Sequence, residues 1–367
     1  MENQTERTKY AILYEELREK IISGALNAGD KLCSEKELAK KFGYSRQTVR
    51  QSLNLLERDG LIQRRRGSGT YVAGGKYVRE KTGRIGVITT YVSDYIFPAI
   101  IRGIEEEASK NGYHIVLGAT RNRVENEKRL LTTFLNDGLD GLIIEGTKSA
   151  LPNPNKALFD ELDKKGIPYI FLNGHYRELP NSVSITVNDR KCGNDAASFL
   201  LKNGCKKLGG IFKSDDIQGH ERYAGYVNAL LHHGGDMDDD VVFWYTTNDL
   251  EKLFHGEGEF LLKKLSSCDG IVCYNDEIAY RLIQLFLDAG IQVPHDKAVI
   301  GVDNASLSDF SPVKITTFDY PKEEISIQLI QKLIRMIETG KKEASIIYDM
   351  PLLIKESAVT HMQSRKA

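Results

Sequence analysis

Two sets of residues in this 367-residue chain have the types and spacing to do chemistry. The first is the run Ser45-Arg46-Gln47-Thr48-Val49-Arg50, which follows Gly43 and precedes Leu53 and Leu56. Val49, Leu53 and Leu56 recur at i, i+4 and i+7 and make one apolar helix face, so Arg46, Gln47 and Arg50 fall on the other. Two guanidiniums and an amide on a free helical face have the donor geometry that reads guanine and adenine edges in a major groove, with Ser45 as the N-cap. The second set stands after short apolar runs: Asp94, Tyr95 and Phe97; Glu145 with Thr147 and Lys148; Asn173 with His175; Asp215-Asp216; Asn275-Asp276; Asp303-Asn304. Carboxylate and amide oxygens accept protons from sugar hydroxyls, and ring faces pack on C–H surfaces, so this mixture suits a neutral polyhydroxyl ligand. A phosphorylated ligand would call for more Arg and Lys.

The elements that must position the first set are legible around it. Ile12, Leu13, Leu17 and Ile21 predict a helix over residues 8–23, stopped by Gly24. Leu38, Ala39 and Phe42 supply the apolar face of a second helix beginning after Ser34, and Gly43 makes the turn into the third. After Gly60, Leu61-Ile62 and Thr70-Tyr71-Val72 predict two short strands. The loop joining them would place Arg64, Arg65 and Arg66 on an exposed tip, suited to phosphate or minor-groove contact. The stretch Arg66-Gly67-Ser-Gly-Thr is not a Walker phosphate loop, because the lysine that such a loop requires is missing. A winged helix-turn-helix over residues 1–73 is therefore expected, followed by a charged, glycine-bounded linker at 74–83.

Residues 84–367 read differently. Apolar runs at 84–90, 113–117, 140–145, 168–173, 208–212, 241–245, 269–274 and 297–303 predict strands. Amphipathic segments at 97–111, 125–137, 155–165, 190–203, 219–233, 258–266, 276–289 and 322–339 predict helices between them. Nearly continuous apolar strands alternating with helices mean parallel sheets covered on both faces, here enough for two doubly wound lobes. In such sheets ligands bind outside the carboxyl ends of the strands, where the second set of residues stands.

The charge balance divides along the same boundary. Residues 1–82 hold 17 Lys/Arg against 11 Asp/Glu, and the remaining 285 hold 33 against 40, so a head of +6 is attached to a body of −7. A polyanionic partner is thus expected for the head and not for the body. Residues 1–20 are charged throughout and no apolar run approaches the ~20 residues of a membrane span, so a cytoplasmic protein is expected. Cys33, Cys192, Cys205, Cys268 and Cys273 lack paired metal-site spacing and are expected to be buried free thiols, with no metal or cofactor. An enzyme is the rival class for the body, with Asp215 and Asp216 as a possible acid pair. Adjacent residues point apart, however, and no nucleophile elbow, phosphate loop or metal-ligand spacing appears.

The head resembles the winged helix-turn-helix of the GntR family over almost all of residues 8–73. The matching segments are Ser34-Glu-Lys-Glu-Leu, Ser45-Arg46-Gln-Thr48-Val-Arg50, Leu56-Glu-Arg-Asp-Gly60-Leu and Arg66-Gly-Ser-Gly-Thr70-Tyr-Val. By position the resemblance implies DNA contacts at Lys36, Ser45, Arg46, Gln47, Thr48, Arg50, Arg66 and Gly67. One departure is Cys33, where many members have proline, which implies a looser helix entry. From Gly83 onward the chain resembles the LacI/GalR effector module, itself similar to periplasmic sugar-binding proteins. The carrying residues are Arg84-Ile-Gly-Val-Ile, Asp140-Gly-Leu-Ile-Ile, Arg222-Tyr-Ala-Gly225-Tyr, Tyr274-Asn275-Asp276-Glu-Ile-Ala279, Ile300-Gly-Val-Asp303-Asn and Ile315-Thr-Thr-Phe. This second resemblance implies that Arg222, Asn275 and Asp303 point into a cleft between the lobes. The uncommon pairing of the two modules is similar to repressors of arabinose utilisation, which implies double-stranded operator DNA as partner, L-arabinose as effector and a homodimer.

Overall fold

The computed structural model describes residues 8–359 except 23, 28, 66–67, 74–80 and 236. The chain divides after Gly83 into two compact units, a head and a body. In the head, helices α1 (Lys9–Ile22), α2 (Glu35–Phe42) and α3 (Arg46–Arg58) precede an antiparallel hairpin of β1 (Ile62–Arg65) and β2 (Gly69–Val72). Leu13, Leu17, Leu38, Val49, Leu53, Leu56, Ile62 and Val72 close one buried cluster. Helix α2 opens with a full capping box: the Ser34 side chain accepts from the Glu37 N–H while Glu37 accepts from the Ser34 N–H. Cys33 therefore leaves the helix entry firm, and its own thiol is exposed rather than buried. Gly43 ends α2 at φ +67°, a left-handed conformation that costs glycine little.

The body contains, in chain order, β3 (Arg84–Thr89), α4 (Phe97–Lys110), β4 (His114–Ala119), α5 (Val124–Asp137), β5 (Gly141–Glu145), α6 (Lys156–Lys164), β6 (Tyr169–Leu172), β7 (Val183–Val187) and α7 (Asp189–Lys202). It continues through β8 (Leu208–Lys213), α8 (Ile217–His233), β9 (Val242–Tyr245), α9 (Leu250–His255), α10 (Gly258–Lys264), β10 (Gly270–Cys273), α11 (Asp276–Asp288) and β11 (Ala298–Ile300). It ends with α12 (Leu307–Phe310), β12 (Thr317–Phe318), α13 (Lys322–Thr339), β13 (Ile346–Tyr348) and β14 (Leu352–Leu353).

Two parallel sheets result, ordered β4-β3-β5-β6-β7-β13 and β11-β10-β8-β9, with β12 and β14 paired antiparallel beside the second. Each sheet is the core of one lobe. The chain passes between lobes three times: from β7 into α7, from β12 into α13, and from β13 into β14. Hydrogen bonds tie these passages together, from Asn188 N to Tyr348 O (2.8 Å) and from Asp319 N to Pro351 O (2.9 Å).

Helices α7 and α8 of the second lobe touch backbone to backbone. A Cβ on Gly193 would lie 1.9 Å from the Arg222 carbonyl oxygen, and one on Gly225 would lie 1.9 Å from that of Arg190. That is the physical reason for a glycine three residues after Arg222. Strands β7, β12, β13 and β14 were not expected from the sequence, and the strand expected at 297–303 is shorter. Each is two to five residues long, so its type comes from its neighbours rather than from its own pattern. Among the described residues no helix is long and apolar enough to cross a membrane.

Candidate functional site

In the head, α3 starts where the sequence places it. Ser45 caps it, its Oγ accepting from the Thr48 N–H at 3.1 Å and sharing a hydrogen bond with Thr48 Oγ1 at 2.8 Å. Burial of Val49, Leu53 and Leu56 turns Arg46, Gln47 and Arg50 outward, and Lys36 is exposed on α2. The two arginines differ. Arg50 forms an ion pair with Glu35 at 2.9 Å, which holds the Glu35 carboxyl below its usual range. Arg46 has no hydrogen bond or ion pair among the described residues and is free to meet a ligand. The wing also differs from expectation: Arg64 and Arg65 lie inside β1, not in the joining loop. Arg64 pairs with Glu57 at 3.4 Å and Arg65 sits 4.9 Å above the Tyr71 ring, because extending the hairpin to Arg65↔Gly69 satisfies more backbone groups. Arg66 and Gly67 lie outside the described residues.

In the body, a cavity of about 270 Å³ opens between the lobes at the carboxyl ends of the strands. Of the expected effector residues, Asp94, Tyr95, Phe97, Glu145, Asn173, Asn275 and Asp303 line it. Glu145, which closes β5, accepts from the Thr90 N–H (2.6 Å) and from Asn173 Nδ2 (3.2 Å). Burial pushes its carboxyl above the usual range, against those two donors. Asn173 and Asp303 hold left-handed backbone, φ +67° and +100°, that aims them off their strand ends into the cavity. Asn275 caps α11 through Oδ1, leaving its amide nitrogen for other partners.

The lobes are joined across this cavity. The Tyr95 hydroxyl donates to Asp303 Oδ2 (2.8 Å) and accepts from the Asp276 N–H (3.1 Å). On the other side Asn122 Nδ2 meets Asp215 Oδ2 (3.2 Å) and Thr247 Oγ1 (2.6 Å), and Ser149 Oγ accepts from the Ile217 N–H (3.1 Å).

Three expected residues are elsewhere. His175 is exposed on the β6–β7 connection and does not line the cavity. Lys148, two residues beyond the Glu145-Gly146 strand end, turns away at φ +47° while its N–H donates to Asn122 Oδ1 at 2.7 Å. Arg222 is 2 % exposed and lies behind the cavity wall. Its Nε donates to Asp189 (2.8 Å), its Nη2 reaches Asp303 (3.5 Å), its Nη1 donates to the Tyr274 carbonyl, and its guanidinium covers the Tyr274 ring at 4.9 Å. Burial pushes the Asp189 carboxyl up to about 6, opposed by the Arg222 charge. His175 and Lys148 miss because proximity to a strand end in sequence does not say which way the side chain leaves it, whereas Arg222, expected from the resemblance, leaves α8 toward Asp189 and Asp303.

The cavity also holds residues that the pattern did not single out as ligand-binding, among them Tyr91, Lys213, Tyr245, Tyr274 and Tyr320. Lys213 had a visible signal, a charge closing the apolar run Leu208-Gly-Gly-Ile-Phe. Asp215 and Asp216 are no acid pair: Asp215 receives Thr247 N (3.1 Å) beneath the loop, while Asp216 faces the cavity beside Lys213.

Comparison with known proteins places these two units. Residues 9–72 match the family of bacterial regulatory proteins of gntR type, and residues 197–358 match the periplasmic binding protein-like domain. A LacI-type regulator from Alkaliphilus metalliredigens, solved with D-xylulofuranose, superposes with a TM-score of 0.66 at 22 % identity. It covers 76 % of this chain and 100 % of its own, which shows the fold. An arabinose metabolism transcriptional repressor of Halalkalibacterium halodurans is 37 % identical over 362 residues, 95 % of this chain and 96 % of its own. Another, from Geobacillus stearothermophilus, is 36 % identical over 354 residues, 95 % of this chain and 97 % of its own. With that identity sustained through head and body alike, the chain belongs to the family of arabinose metabolism transcriptional repressors.

Proposed function

We propose that this protein is a sugar-released repressor: the head binds operator DNA, the body cavity takes L-arabinose, and two copies act together as a homodimer. The observation that carries the effector reading is a cavity of about 270 Å³ between joined lobes, at the small end for ligand sites and so suited to a monosaccharide. Its charged lining is dominated by acids, Asp94, Glu145, Asp216, Glu251, Glu277 and Asp303, against Lys213 and Arg281. That balance favours hydroxyl donors and repels phosphate. The 36–37 % identical relatives named for arabinose metabolism favour this pentose over others.

The mechanism follows from linkage. A sugar bridging the lobes stabilises one of their relative placements, and only a ligand that prefers the state with low operator affinity releases DNA. Operator must then weaken sugar binding by the same factor. Dimerisation converts two modest half-site affinities into one tight interaction, since the second head binds at raised effective concentration. A salt-controlled shift assay with operator DNA and a panel of pentoses and hexoses tests the reading. L-arabinose is expected to release the protein where D-xylose and glucose do not, and release by none of them would overturn the effector assignment.

Within the head, Arg46 and Gln47 are the side chains we assign to base edges, supported by Ser45, Thr48 and Arg50 at the start of α3, by Lys36 of α2 and, as the resemblance implies, by Arg66 and Gly67. Arg46→Ala should cost about 1–3 kcal/mol of operator binding and relax discrimination at one base pair. Arg50→Ala should cost less, because Arg50 must leave Glu35 before it can meet DNA. Wild-type affinity in Arg46→Ala at matched salt would remove α3 from the groove.

A further inference from the structure

Lys213 is the last residue of β8, and 9 % of it is exposed. A lysine this buried is uncommon unless its charge is used. Its Nζ donates to Asp216 Oδ2 at 2.6 Å and lies 5.9 Å from the centre of the Tyr274 ring. An ammonium has three protons to donate, and among the described residues the other two have no acceptor. The group lines the cavity between the lobes. Arg281, the other cation there, differs because its Nη2 is already shared between Glu251 (2.8 Å) and Glu277 (3.0 Å).

The local fold holds the lysine there. A Cβ on Gly219 would lie 1.9 Å from the Lys213 carbonyl oxygen, so the first turn of α8 rests directly on the end of β8. That contact brings Asp216, the residue before α8, alongside Nζ. Burial works to lower the Lys213 pKa, but the Asp216 and Asp215 carboxylates outweigh it, and the ammonium stays charged. Asp216 also receives Asn122 Nδ2 of the first lobe at 3.4 Å, so the pair stands where the two lobes meet.

We propose that Lys213 is an effector-binding residue, whose two free ammonium protons are donated to oxygens of the bound sugar while Asp216 orients it. The proposal rests on the reading of this cavity as the sugar site and adds its chemistry. A pyranose ring oxygen has no proton and can only accept, so a wall of carboxylates cannot satisfy it. A fixed ammonium can, and it distinguishes sugars by where an acceptor falls relative to the hydroxyls that Glu145 and Asp303 receive.

The test is calorimetry of the full-length parent, Lys213→Met and the Lys213→Met/Asp216→Asn double variant, each checked for folding by circular dichroism and titrated with L-arabinose. Lys213→Met is expected to bind about 10- to 100-fold more weakly, the span for a lost hydrogen bond to a charged group. The double variant, which no longer buries an unpaired carboxylate, is expected to stay equally weak. Parent-like affinity in either folded variant would overturn the proposal, because it would leave the lysine nothing to do but neutralise Asp216. If the parent takes another pentose and not L-arabinose, the arabinose reading falls and the same comparison is made with that pentose. A parent that takes no sugar overturns both.

Discussion

Arg222→Ala is expected to destabilise the body by about 3–5 kcal/mol, the cost of leaving buried charges without their partner. Three groups depend on that guanidinium: the Asp189 carboxylate at 2.8 Å, the Asp303 carboxylate at 3.5 Å and the Tyr274 carbonyl. Asp189 is 7 % exposed and does not line the cavity, so water cannot replace its arginine partner without opening the lobe. The resemblance to the LacI/GalR module implies a sugar contact for Arg222, which would predict lost binding with stability kept. Its position behind the cavity wall reverses that expectation.

Urea unfolding followed through Trp244, the single tryptophan of the chain and a β9 residue of this lobe, reads the effect directly. An unchanged midpoint accompanied by lost sugar affinity would return Arg222 to the site. The effect should depend on pH. Burial raises the folded-state pKa of Asp189 to about 6, above the ~4 of an exposed aspartate. The stabilisation linked to its protonation is therefore full below about 4 and lost as pH rises through about 6. Without Arg222 the carboxyl is raised further, so the gap between parent and variant should narrow from pH 7.5 to 5.5.

Asp303→Asn should abolish the response to sugar while the protein still binds operator, giving a repressor that inducer does not release. The carboxylate lines the cavity and accepts from Tyr95, and the substitution removes its charge and one acceptor without changing its volume. Sugar affinity should fall about 10- to 100-fold. Asparagine is the informative replacement, because Asp303 sits at φ +100°, where alanine would add backbone strain to the lost acceptor. The head buries its own core of Leu13, Val49, Leu53 and Leu56, so its folding does not depend on this site. Parent-like affinity by calorimetry on the folded variant would exclude Asp303 from the site, and loss of operator binding would show that the substitution acts through folding instead.

The sequence by itself determined the head nearly completely. Its helices are set by local rules, an apolar stripe at helical spacing, a Ser-x-x-Glu box and a glycine at the turn, and each rule acts within one or two turns of chain. The exposed face of α3 follows once Val49, Leu53 and Leu56 are buried. The sequence also determined the α/β character of the body and the strand ends at which a ligand would sit, because doubly wound sheets place sites there whatever their sequence.

The tertiary structure alone decided which strand-end residues face the cavity. Left-handed backbone turns Asn173 and Asp303 inward, while Lys148, also left-handed, is turned away by the Asn122 hydrogen bond. Arg222 is drawn behind the wall by two carboxylates that stand 33 residues before it and 81 after it. Lys213 becomes a cavity residue because Gly219 lets α8 rest on its carbonyl and hold Asp216 against it. These choices are made by contacts between elements far apart in the chain, and neither periodicity nor spacing carries information about them.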